Sequence, residues 1–131
     1  MGKDYGRTVG VDAPFDETVR RVRDALADQG FGVLTEIDVR ATLKAKLDAD
    51  MEPYLILGAC NPPPARRALE ADRSIGLLLP CKVVVRADPD GGTLVQAMDP
   101  SAMVELSGLP ELLPVADEAR QRLATALDSL G

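Results

Sequence analysis

Tyr54-Leu-Ile-Leu-Gly-Ala-Cys-Asn-Pro-Pro-Pro64 decides how the rest of the chain is read. Tyr54 to Cys60 is a short apolar run of strand length. Asn61 follows, a residue type favoured at helix N-caps, and then Pro62, which suits a first helical turn. A strand therefore passes directly into a helix, with the Cys60 thiol at the junction. The peptide dipoles of a helix N-terminus favour thiolate over thiol. The same turn is a poor phosphate cradle, because Pro62, Pro63 and Pro64 have no N–H to offer an anion. Cys60 thus reads either as a tuned thiol or thiolate ligand, or as a small buried hydrophobe that ends a core strand.

Upstream, Tyr5 to Val11 alternates as a strand, with Tyr5, Arg7, Val9 and Val11 on one face. Gly6 and Gly10 leave the other face almost bare, which suits close approach of another backbone. Phe15, Val19, Val22 and Leu26 recur at helical spacing, from Asp12-Ala-Pro14 to a stop at Gly30. Phe31 to Asp38 reads as a second strand, with Val33, Thr35 and Ile37 facing one way and Leu34, Glu36 and Asp38 the other. Glu36 and Asp38 then stand about 7 Å apart on one face, where two carboxylates can bind a hard cation or share a proton. The simpler reading makes Asp38 the N-cap of a helix carrying Val39, Leu43 and Leu47, and pairs Glu36 with Arg40.

Downstream, a helix runs from Pro62 to about Asp72, with Arg66 and Arg67 on its outer side as a solvated face or an anion grip. Ile75 to Cys81 is an apolar run that leads into a strand, Lys82 to Arg86, and Pro80 is tolerated because it precedes that strand. Cys81 shares a face with Val83 and Val85, so burial is expected. Ala87-Asp-Pro-Asp-Gly-Gly92 is a hairpin loop into a strand from Thr93 to Met98. Asp99 to Leu109 reads as a loop whose Met103, Val104 and Leu106 cover a pocket, a sheet edge or a partner. A helix with Leu112, Ala116, Ala119, Leu123, Leu127 and Leu130 ends the chain, its regular part starting near Pro114.

The whole is expected to form one domain, residues 1–131, of α+β class. Hydrophobic residues make up 46% and charged residues 27%, which argues against disorder. Aromatic residues are only 3%, so the core is aliphatic and base stacking is disfavoured. The net charge of −6 opposes nucleic acid and anionic membranes. With no histidine there is no Ser-His-Asp or Cys-His arrangement and no His metal site. Two cysteines, without an export signal or membrane-length run, fit a cytoplasmic location.

Several ordered blocks carry a family resemblance. They are Glu36-Ile-Asp-Val-Arg-Ala-Thr-Leu-Lys44, Leu57-Gly-Ala-Cys-Asn-Pro62, Ala68-Leu-Glu-Ala-Asp72, Gly76-Leu-Leu-Leu-Pro-Cys81, Val83-Val-Val85 and Ala97-Met-Asp-Pro100. Together they resemble the domain of unknown function 302 family over nearly the whole chain. The resemblance implies a small cytoplasmic α+β domain, often homodimeric. It implies a curved, mainly antiparallel sheet of about five strands with helices across one face, similar to TATA-box-binding proteins. It supplies no activity, and the fold likeness does not imply DNA binding.

Three functional readings stand beside one another. The first is a dimeric module that binds a small-molecule ligand or a protein, without catalysis. The second is thiol chemistry through Cys60 and Cys81: redox sensing, sulfur handling, or ligation of a soft metal or cofactor, with Asn61 adjacent and Glu36 or Asp38 completing a ligand set. The third is a hydrolase or lyase built on Glu36 and Asp38, for which no nucleophile–base pair is visible.

Overall fold

The structure, a computed structural model, describes residues 6–131. Tyr5 and the residues before it lie outside the described residues. The elements follow as β1 (Gly6–Val11), α1 (Phe15–Asp28), β2 (Gly32–Asp38), α2 (Val39–Leu47), β3 (Tyr54–Cys60), α3 (Pro62–Ala71), β4 (Cys81–Ala87), β5 (Thr93–Met98), α4 (Ala102–Ser107) and α5 (Leu113–Asp128). Short 3-10 turns at Arg73–Leu78 and Pro110–Leu112 lie between them.

The five strands form one sheet in the order β1-β5-β4-β3-β2, and every neighbouring pair is antiparallel. β4 and β5 form the expected hairpin, tightened where Asp88 Oδ1 accepts from the Asp90 N–H. The first strand crosses the molecule to pair with the last, Val9 opposite Val95. Gly6 lies so close to the Ala97 carbonyl that no side chain fits there. This arrangement is compatible with the TATA-box-binding-protein-like fold that the resemblance implies.

α1 and α5 lie across one face of the sheet. Val22 and Leu26 of α1 meet Leu57, Val83, Val85 and Val95 from the strands and Leu123 and Leu127 of α5. A second cluster joins Ala68 of α3, Ile75, Met103 of α4, Leu112 and Val115 of α5. α5 therefore contributes to both clusters and fixes α3 and α4 relative to the sheet.

Two local readings are corrected. Asp99–Leu109 is not an irregular loop but contains α4. Asp99 Oδ1 accepts from the Ser101 N–H to start it, and Gly108, in the left-handed region at φ 69°, ends it. In β2 the strict alternation fails, because the register shifts between Val33 and Thr35 and leaves Leu34 as an extra residue. Val33 pairs with Ala59 on the helix side, whereas Thr35 and Ile37 pair with Gly58 and Ile56 on the opposite side. A bulge of one residue moves all that follows it to the other face. Leu34 is consequently 66% exposed and Ile37 49%.

Candidate functional site

Cys60 and Cys81 approach each other because β3 and β4 pair. Ala59 stands opposite Cys81 in the ladder, and Cys60 is the next residue. Strict alternation turns Cys60 away from Ala59, but the strand ends here and the chain bends into α3. Both cysteines line one cavity of about 20 Å³, together with Asn61, Phe31, Pro80 and Met103. Both are free thiols; Cys60 is half-buried and Cys81 buried. Burial pushes the Cys81 thiol up to about 11; neighbouring Cys60 adds to this, and Lys82 pulls the other way.

Asn61 occupies the cap position of α3 but makes no capping bond with its side chain. The cause is local. A cap oxygen accepts from the second or third helical N–H, and those positions are Pro63 and Pro64. The amide instead donates to the Gln29 carbonyl at 3.5 Å, and Arg122 donates to the same oxygen at 3.1 Å. Asn61 thus ties the β3–α3 junction to the turn after α1.

Glu36 and Asp38 do not join this group. Glu36 accepts from Arg23 of α1 at 2.6 Å rather than pairing with Arg40. Its register partner is Leu57, which sets it about 10 Å along β3 from Cys60. Asp38 caps α2, accepting from the Ala41 N–H at 2.9 Å, and lies near the far end of β3. There it lines a separate hollow of about 380 Å³ with Arg40 and Tyr54. Among the described residues no three His, Cys, Asp or Glu side chains are grouped to hold a metal. The arginines of α3 are engaged as well, Arg66 with Glu70 at 3.0 Å and Arg67 with Glu118 at 2.8 Å. A groove of about 560 Å³ runs between β1, β5 and α5; its Arg7 is held bidentately by Asp128 and its Arg120 by Asp117.

The face of the sheet away from α1 and α5 carries a feature that the sequence did not locate. Register places Ile37, Ile56, Val84, Gln96 and Thr8 in one row across all five strands. At its polar end Gln96 donates to Thr8 at 3.2 Å and accepts from Arg86 at 3.0 Å. None of these five side chains is buried.

A family model described as "Domain of unknown function DUF302" matches residues 7–130. The chain belongs to this family. A crystal structure of an uncharacterized conserved DUF302 protein from Bacillus stearothermophilus is 34% identical, with a TM-score of 0.89. The match covers 97% of this chain and 98% of that one. No curated protein matches the chain. DUF302 membership therefore accounts for the architecture and leaves the chemistry to this chain's own residues. Among the described residues no helix is long and apolar enough to cross a membrane.

Proposed function

We propose that this DUF302 protein is a single-domain binding module without catalysis, working as a homodimer in the cytoplasm, with the second copy seated on the uncovered face of the sheet. The observation that carries this reading is the row Ile37–Ile56–Val84. The solvated face of an antiparallel sheet is ordinarily polar. Here β2, β3 and β4 present consecutive aliphatic side chains in register on the face away from α1 and α5, and none of the three is buried. Lys82 and Arg86 stand two residues to either side of Val84, where long side chains reach solvent at the margin.

A two-fold axis lying in the interface and running along this row sets each aliphatic side chain against its own copy. Such an isologous contact is the commonest route to a closed dimer. The two faces then pack about 10 Å apart, as in a sandwich. The non-catalytic part of the reading is supported by the engagement of both candidate carboxylates, Glu36 by Arg23 and Asp38 by the α2 backbone. Two free cysteines fit a reducing compartment.

Sedimentation of the reduced protein tests the proposal. The expected species has twice the 13.9 kDa chain mass, and Ile56→Glu shifts it to the monomer with its circular dichroism unchanged. Ile37→Lys, at a more exposed position, gives the same shift if Ile56→Glu fails to fold. A wild-type monomer at high concentration overturns the reading, as does a dimer indifferent to both substitutions.

A further inference from the structure

The chain carries four methionines and two cysteines. Three of these sulfur-bearing residues, Cys60 from the end of β3, Cys81 from the start of β4 and Met103 from α4, line one cavity. Sequence order hides this, since Met103 sits in an apolar segment far from either cysteine. The cavity of about 20 Å³ has room for roughly one water. Its remaining wall is mostly apolar: Phe31, Ala59, Leu79 and Val115 contribute no side-chain oxygen. We infer that this cavity is a binding site for one soft monovalent d10 cation, Cu(I) or its redox-inert analogue Ag(I), held by the Cys60 and Cys81 thiolates and the Met103 thioether.

The donor set selects the ion. Calcium and magnesium need six or more oxygens, and the only side-chain oxygen among the residues lining the cavity is that of Asn61. Structural zinc takes four ligands, whereas two thiolates and a weak thioether make three. Thiolate and thioether donors favour Cu(I), which is satisfied by low coordination numbers. On binding, two S–H bonds are exchanged for two metal–sulfur bonds and two protons leave to solvent, with no change of oxidation state. The product carries one net negative charge, with Lys82 next in the chain after Cys81. Half-buried Cys60 provides the way in, while Cys81 and Met103 stay buried. The second position of α4 holds Met103 in place within the cluster of Ala68, Ile75 and Leu112. This inference is independent of the docking face.

Anaerobic titration with Cu(I) against a chromogenic Cu(I) chelator, and with Ag(I) by native mass spectrometry, tests it. One ion per chain is expected, with release of two protons. Met103→Leu conserves volume and lowers affinity about tenfold, and Cys60→Ala or Cys81→Ala lowers it about a hundredfold or more. Circular dichroism of each apo variant separates lost binding from lost fold, and Met103→Leu remains decisive if Cys81→Ala unfolds. Failure of the wild type to hold either ion overturns the inference. So do a stoichiometry other than one and affinity unmoved by Met103→Leu. The oligomer mass in the same spectra reports on the dimer separately, so either reading can fail alone.

Discussion

The Asn61 side-chain amide donates to the Gln29 carbonyl at 3.5 Å, across from α3, although Asn61 stands where a helix cap belongs. Prolines at the first three helical positions remove the N–H groups that a cap would serve. Asn61→Ala is therefore expected to cost about 1 kcal/mol, the size of one modest hydrogen bond with some lost packing. Asn61→Ser, ordinarily a good cap, should do no better than alanine. Recovery of wild-type stability by the serine variant in urea unfolding would show that capping matters after all.

Burial separates two leucines, one in the middle of β3 and one at the end of α2. Leu57 is fully enclosed between the sheet and its helices, whereas Leu47 on α2 is 71% exposed. Leu57→Ala is expected to lose about 2–5 kcal/mol and Leu47→Ala less than about 0.5 kcal/mol. Equal losses from the two would contradict the packing described.

The strands and most helices were readable because their signals are local. The run at Tyr54–Cys60, the prolines after Asn61 and the Asp88–Gly92 turn each report on a few adjacent residues. Pairing of β1 with β5 is not local, and nothing in Gly6–Val11 names its partner. The bulge at Leu34 was invisible for a related reason: Gly32–Asp38 alternates plausibly by itself, and only its register against β3 shows the extra residue. Of the candidate site, the sequence left open whether Cys60 and Cys81 meet, because that depends on β3 pairing with β4, which no local signal fixes. Met103 was expected to cover a pocket, a sheet edge or a partner, but its place beside the two cysteines was not read, because α4 reaches that cavity only by packing on α5 and the two 3-10 turns. Arg23 was missed as the partner of Glu36 because helix α1 intervenes only in three dimensions.

That ion pair gives a third expectation. Arg23 and Glu36 are 40% and 45% exposed, so water screens them despite the short 2.6 Å contact. Glu36→Gln should change stability by no more than about 1 kcal/mol. Raising salt should narrow even that difference. A loss of several kcal/mol in thermal or urea unfolding would mean that the pair is shielded from solvent, and would reopen a chemical role for Glu36.

Cys81 provides the clearest pH dependence. Its ordinary value is 9.0, and burial, reinforced by Cys60 and opposed by Lys82, raises it to about 11 in the folded protein. Between these values the unfolded chain releases a proton that the folded chain retains. The stabilising contribution is thus complete below pH 9 and is lost as pH rises toward 11. Two units correspond to about 2–3 kcal/mol. Lysines and tyrosines titrate in the same range, so the useful quantity is the difference between wild type and Cys81→Ala. Urea unfolding under reductant at pH 7, 9 and 10.5 should show the wild-type advantage shrinking at the highest pH, because the alanine variant has no thiol to ionise. A difference that stays constant across that range would mean that the folded thiol ionises as freely as the unfolded one, and that the wall of the sulfur-lined cavity admits water.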